Sequence, residues 1–383
     1  MTKIPADFGF SDEHEMLRQE ARRLFAERCP ISEVRRIADD AAGFDAALWK
    51  ELGALGWVGL AIPERHGGAG LGSLPLALLL EEAGRRLVPS PLLASVLAAF
   101  AIEAGGGEAQ QARWLPEIAS GERIATLALY EPSGGFEAES VRATAEPAGG
   151  GFVLRGQKRF VLAGANANLV VAPCREPSGE IALFVVDLPA SGASVQREIG
   201  VDPTRRTARI ALDGVRVGRE AKLDCGGAAA LERAHVRGFA ALAAEMVGAA
   251  DAALVMTRDY AIARKQFGRQ IGFFQAVKHP IVDVMIGVEL ARNHALGAAA
   301  ALDHAPGDAE VPARMAKAQA SDVFATAVRK GVQLHGGYGF TIDCDMHLYF
   351  KRALWSRATL GDGPYHRRRL AEALFDRDAA GTA

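Results

Sequence analysis

The chain has 383 residues, is 49% hydrophobic and carries a formal charge of −2, so it can bury a substantial core, suggests two or three domains, and gives no electrostatic reason to expect nucleic acid or an anionic membrane as partner. Its four cysteines, Cys29, Cys174, Cys225 and Cys344, form no CxxC pair and no Cys/His cluster at zinc spacing, which indicates neither a disulfide framework nor a metal site and fits a reducing cytoplasm. The amino terminus "MTKIPADFGFSDEHE" has no basic region followed by an apolar run, and no stretch reaches ~20 apolar residues without charge, so neither export nor anchoring is predicted.

In "FSDEHEMLRQEARRLFAERCP", Ser11 can cap a helix that carries Asp12 and Glu13 in its first turn, places Met16, Leu17, Leu24 and Phe25 on one face, and stops before Pro30. Amphipathic segments follow ("FDAALWKELGALGW", "LPLALLLEEAGRRL", "PLLASVLAAFAIEAG"), and residues 1–122 read as an all-helical domain. From "RIATLALYEP" the pattern changes to short β-branched and apolar runs punctuated by Gly, Pro, Asn and Asp, which marks a β-domain over 123–225. Residues 226–383 return to helix. A first long helix is expected from about Ala228 to Gln266, spanning on the order of 55 Å at ~1.5 Å per residue. A second begins near Phe274, with Pro280 close enough to its start to be tolerated, and a third runs from about Pro312 to Leu334 before Gly336 and Gly337. Helices this long and rich in alanine pack closely as an antiparallel bundle. The fold class is therefore α+β: helical layer, β-domain, helical bundle.

No GxGxxG lies between a strand and a helix, and no GxxxxGK[ST] is present. Two other stretches stand out. In "YAIARKQFGRQIGFFQAVKHP", the end of a helix carries Arg264, Lys265, Gln266 and Phe267, followed by a turn and the pair Phe274 and Gln275; in "VRKGVQLHGGYGF", Gln333 precedes Gly336 and Gly337. A guanidinium binds phosphate in bidentate fashion, Phe can lie against an adenine, and paired glycines let backbone approach a phosphate. Arg264 and Lys265 also read as helix-end cations, and the glycines as a helix stop.

These stretches resemble the two carboxy-terminal signatures of acyl-CoA dehydrogenases, the flavoproteins that desaturate acyl-CoA thioesters. "LGALGWVGLAIPERHGGAGLG" is similar to their amino-terminal helical domain, and "YEPSGG" and "GQKRFVLAGANA" occupy the places of their two flavin-contacting segments. The resemblance covers nearly the whole chain, in order. It implies FAD as cofactor, held between the β-domain and the bundle. Arg264, Phe267 and Gln275 would contact the pyrophosphate and adenine end, with Gln333, Gly336 and Gly337 approaching across a subunit interface. Tyr130 would stand in the first flavin segment, and Phe160 beside the isoalloxazine, although a Phe between apolar strand residues is equally at home in a core. Implied partners are an acyl-CoA substrate, an electron acceptor such as an electron-transfer flavoprotein, and further subunits in a homotetramer or a heterotetramer.

In that family a carboxylate takes the α-proton while the β-hydrogen leaves as hydride, and the carboxylate is usually a Glu before the final helix. Here the matching segment is "LGDGPYHRR", so Asp362 takes that position. Asp is shorter by about one C–C bond, ~1.5 Å. Asp362 also reads as an N-cap, with its side chain accepting from the Tyr365 N–H because Pro364 has none. The family's second known base position falls near Gly238, which cannot serve. Tyr130, Phe136 and Leu162 also depart from the usual Thr, small hydroxyl and Ser or Thr residues. Such departures are similar to those of heteromeric dehydrogenases acting on bulky CoA thioesters. The expected activity is α,β-desaturation of an acyl-CoA with Asp362 as base. The alternatives are an FAD-site-sharing subunit of a heteromer and a flavin oxidase of nitroalkane-oxidase type. The run His366 to Arg369 reads as a solvated basic face.

Overall fold

A computed structural model describes residues 5, 7–225 and 227–375. Helices α1 (Asp12–Arg28), α2 (Ile31–Asp39), α3 (Ala46–Ala54), α4 (Ser73–Arg85), α5 (Leu92–Gly105) and α6 (Glu108–Ala119) come first. Strands β1 (Ala125–Leu127), β2 (Thr144–Ala148), β3 (Gly151–Leu162), β4 (Leu169–Arg175) and β5 (Ile181–Asp187) follow, then a short α7 (Leu188–Ser191), β6 (Ser194–Glu198) and β7 (Thr207–Gly218). The remainder is α8 (Ala228–Ala263), a hairpin of β8 (Lys265–Gln266) and β9 (Arg269–Gln270), α9 (Gln275–His304), α10 (Glu310–Leu334), α11 (Met346–Ala358) and α12 (Gly363–Phe375). The described residues divide into two compact units: those up to 36, 73–88 and from 239 onward form one, and those of 37–72 and 89–238 the other.

In the unit built around the strands, β3 and β7 form a long antiparallel pair flanked by β2 and β6, while β4 runs parallel to β1 and antiparallel to β5. Leu154, Val170, Phe184, Ile210 and Leu212 fill its core. The β3–β7 register slips between Lys158 and Val161, so Arg159 and Phe160 together face Arg209. This is a β-bulge, which re-aims side chains that an unbroken strand would alternate. Helices α5 and α6 belong to the same unit, and Gln110 on α6 donates to the carbonyls of Glu220 and Lys222.

In the helical unit α9 runs along α10, and α10 carries α11 and α12. Ser11 caps α1 as expected, with a capping box completed by His14, and the helix ends before Pro30. Phe25 is buried, whereas Met16, placed by periodicity on the same face, is 58% exposed. Glycine lets α4 and α8 approach closely. A Cβ on Gly84 would lie 1.9 Å from the Glu245 carbonyl oxygen, and one on Gly248 1.8 Å from that of Glu81. Helix α8 is long and apolar enough to cross a membrane, but most of that stretch is buried inside the protein, as alanine-rich packing requires.

Candidate active site

In the strand unit, the bulge determines what Phe160 can do. Its φ is 50° and its side chain is 52% exposed, so the core alternative does not hold. The two bulge N–H groups, displaced from the ladder, find other acceptors: Arg159 donates to the Tyr130 carbonyl at 2.8 Å, and Phe160 to Glu198 Oε2 at 2.7 Å. Tyr130 and the bulge that carries Phe160 are thus joined by the Arg159–Tyr130 backbone hydrogen bond. Glu131 fixes the segment further. Its carboxylate accepts from Lys158 Nζ at 2.7 Å and from the N–H groups of Arg142 and Ala143 at 2.8 and 3.1 Å. Phe136, in the loop this closes, is buried and meets the rings of Tyr130 and His235 edge-on at 6.4 and 5.2 Å. Leu162 offers its carbonyl, which accepts from Thr126 Oγ1 at 2.6 Å.

In the helical unit, the stretch after α8 departs from expectation. The helix ends at Ala263, so Lys265, Gln266 and Phe267 are not on it; they form a hairpin whose two tip residues are Phe267 (φ 55°) and Gly268 (φ 76°). Positive φ at both central residues matches the right-handed twist of paired strands. The result is a phenylalanine held 90% exposed, its ring edge-on to Phe274 at 6.0 Å. Arg264 and Gln275 are also exposed. Tyr260, one turn before Arg264, stacks on His335 at 4.4 Å, which sets the ends of α8 and α10 side by side. Gln333, Gly336 and Gly337 lie at that end, exposed, with open space where a Cβ would stand on either glycine. An exposed aromatic ring, an exposed guanidinium and bare backbone are groups that can hold an adenine dinucleotide.

Asp362 immediately precedes α12 and is half-buried; its Oδ1 accepts from the Tyr365 N–H at 3.0 Å, the expected cap. The two residues before it, Leu360 (φ 57°) and Gly361 (φ 87°), are both left-handed. The Gly361 carbonyl accepts from Lys317 Nζ at 2.7 Å, and the Leu360 carbonyl from His366 Nε2 at 2.8 Å. Lys317 is fully buried on α10 and also meets Ser321 Oγ at 3.1 Å. Burial pushes the Lys317 ammonium down to about 7, against the pull of the Asp362 carboxylate. His366 is likewise buried, edge-on to Phe239 at 4.7 Å, and is pushed down to about 3, chiefly by desolvation and then by the Lys317 charge. The expected solvated basic face is therefore corrected at its first member. Arg367, Arg368 and Arg369 are exposed and reach Asp322 or Glu372, but His366 points inward. Sequence reading missed Lys317. The available signal was a lysine on the buried face of α10, in step with Ala313, Ala320 and Phe324.

The sequence matches the amino-terminal domain model of acyl-CoA dehydrogenases over residues 11–122, the middle-domain model over 126–215 and the carboxy-terminal model over 227–375. Among curated relatives, acyl-CoA dehydrogenase IpdE2 of Mycobacterium tuberculosis is 34% identical over 95% of this chain and 98% of its own length. Among solved structures, a variant of the Tcur3481-Tcur3483 steroid ACAD superposes with a TM-score of 0.86 at 34% identity, covering 96% of this chain and 99% of that one. The ChsE4-ChsE5 complex from Mycobacterium tuberculosis superposes with a TM-score of 0.88 at 28% identity, over 98% and 100%. With all three domain models matched in order, the chain belongs to the acyl-CoA dehydrogenase family, oxidoreductases acting on CH–CH donors.

Proposed function

We propose that this protein is an FAD-dependent dehydrogenase of a branched or bulky acyl-CoA in the cytoplasm, with Asp362 as the base that removes the α-proton. The observation that carries the assignment is the place of Asp362: it is a half-buried carboxylate projecting from a fixed left-handed loop at the start of α12, with only Oδ1 engaged in the cap. Arg264, Phe267 and Gln275 would hold the pyrophosphate and adenine end of FAD, with Gln333, Gly336 and Gly337 contributing bare backbone and amide, and Tyr130 and the exposed Phe160 ring belonging to the flavin end. When bound, the flavin accepts the β-hydrogen as hydride. The protein's own task is to place the Asp362 carboxylate at the α-carbon and exclude water, because a thioester α-proton is only weakly acidic. The bulky-substrate reading draws on the steroid enzyme among the similar structures.

In an anaerobic titration with short, branched and bulky acyl-CoA thioesters, the wild-type flavin should bleach with at least one. Asp362→Ala should keep its FAD and fail to bleach. Unchanged reduction in that variant would sink the assignment.

A second reading makes the working unit a heteromer in which this chain supplies part of each FAD site. The exposed apolar face of α9, formed by Val282, Met285, Ile286 and Leu290 at helical spacing, together with exposed Phe267, Phe340 and Ile342, favours a further subunit of the same fold as its cover. The ChsE4-ChsE5 and Tcur3481-Tcur3483 assemblies among the similar structures point the same way. Reduced flavin would then pass electrons to an electron-transfer flavoprotein, and fast reaction with oxygen instead would mark an oxidase.

A further inference from the structure

Every backbone carbonyl that a tight left-handed loop turns inward needs a donor. Ahead of Asp362 there are two such carbonyls, and each is served by a buried basic side chain from a different helix. Lys317 comes from α10 and reaches the Gly361 oxygen at 2.7 Å; His366 comes from α12 and reaches the Leu360 oxygen at 2.8 Å. Because a carbonyl can only accept, the His366 proton resides on Nε2. Nδ1 is then a lone pair, buried without a hydrogen-bond partner among the described residues. An ordinary loop would be served by water or by a serine at far lower desolvation cost. Spending two buried ionisable groups on the two residues before one carboxylate is unexplained by stability alone.

The surroundings tighten the same corner. A Cβ on Gly363 would meet Asp322 Oδ1 at 2.8 Å, and one on Gly361 would meet the Tyr365 ring at 2.3 Å, so both flanking glycines are closely packed. We propose that Lys317 and His366 are positioning residues for Asp362: they grip the Gly361 and Leu360 carbonyls and so fix the backbone from which the shorter carboxylate reaches its substrate. The inference rests on Asp362 being the base. It explains how a loop carrying Asp holds the reacting oxygen to the sub-ångström tolerance the chemistry demands.

The charged groups around Lys317 are Asp362, Asp322 and Arg357, with His366 and Arg314 beside them. With its ammonium pushed down to about 7, Lys317 loses its proton as pH rises through neutrality. The neutral amine still donates to Gly361, while the corner beside Asp362 loses one positive charge. His366, at about 3, stays neutral throughout and contributes geometry alone.

The test is stopped-flow anaerobic flavin reduction by a thioester that bleaches the wild type, on the FAD-loaded protein in its native assembly. Lys317→Met and His366→Leu should each slow the reduction step by about 10- to 100-fold, with acyl-CoA affinity and FAD content unchanged. His366→Gln, which restores an N–H near the Nε2 position, should recover most of the loss. The wild-type reduction rate should climb as pH passes about 7, and Lys317→Met should flatten that climb. Wild-type rates in both Lys317→Met and His366→Leu, with Asp362→Asn inactive, would overturn the positioning roles and leave the base standing. Wild-type rates in Asp362→Asn would overturn the base and this proposal together. If Lys317→Met fails to bind FAD, the contrast between His366→Gln and His366→Leu decides: equal rates in the two overturn the proposal.

Discussion

Lys158→Met should be among the most damaging single substitutions in the strand unit, and Glu131→Gln should rescue it. Lys158 is 0% and Glu131 5% exposed, and their charged atoms are 2.7 Å apart. Lys158 also donates to the Pro173 carbonyl at 2.7 Å, while Glu131 holds the N–H groups of Arg142 and Ala143. Methionine matches the lysine stem in volume, so no cavity opens; what remains is a carboxylate buried with two backbone donors and no cation. Breaking a buried pair from one side costs about 3–5 kcal/mol, whereas neutralising both partners is often nearly free. With a urea slope of ~3 kcal/mol per M or more for a chain of this size, the midpoint should fall by about 1 M. The double variant Lys158→Met with Glu131→Gln should return most of that, because the amide keeps an acceptor for the backbone donors. Urea unfolding of all four members of the cycle measures it, with retained FAD as a second readout, since Glu131 ties down the segment that begins at Tyr130. A double variant no more stable than Lys158→Met would refute the reasoning, for it would mean that the lost term was packing and not an uncompensated charge.

Gly248→Ala should destabilise the helical unit by about 1–3 kcal/mol despite alanine's better helix propensity, because the new methyl would stand 1.8 Å from the Glu81 oxygen and force α4 and α8 apart; a thermal melt equal to wild type would contradict that crossing. The His366 imidazole is held neutral in the fold down to about pH 3, while the unfolded chain takes up its proton near 6.5. The unfolded state therefore binds the extra proton first, and stability falls as pH drops from about 6.5 towards 3, by about 5 kcal/mol in all. His366→Gln should flatten that part of the acid unfolding curve, and an unchanged curve would mean that the ring is not buried neutral.

The sequence was most legible where periodicity and composition act over many residues. The cap at Ser11, the stop before Pro30, and the three long helices near Ala228, Phe274 and Pro312 were all within a few residues of the observed elements. Misreadings arose where a few residues decide. Arg264 to Phe267 look like a helix tail because Arg, Lys and Gln are good helix formers; the hairpin forms because Gly268 permits a second positive φ beside Phe267. His366 opens a run of arginines and was read with them, but four consecutive residues on a helix cover every face, so one of the four turned inward. Lys317 hid for the opposite reason: among alanines a lysine reads as a solubilising side chain, and only its alignment with Ala313, Ala320 and Phe324 places it inside.

The three segments proposed as parts of the site share a device that no propensity scale would reveal. Phe160, Phe267 and Leu360 all have positive φ, at 50°, 55° and 57°, a region that costs a bulky residue on the order of 1–3 kcal/mol and persists only where the surroundings over-determine it. Each has its own constraint. Phe160 is the second residue of a bulge whose N–H is captured by Glu198; Phe267 is closed by the pairing of Lys265 with Gln270 and Gln266 with Arg269; Leu360 is gripped through its carbonyl by His366. In the first two cases the strain turns an aromatic ring out of the protein, to 52% and 90% exposure, where packing alone would have buried it. In the third it turns backbone inward, two residues before the half-buried Asp362 carboxylate. A ring offered to a planar cofactor and a carboxylate offered to a substrate, the roles proposed for Phe160, Phe267 and Asp362, must not relax into their own protein. Left-handed backbone held by a neighbour would keep each of them in place.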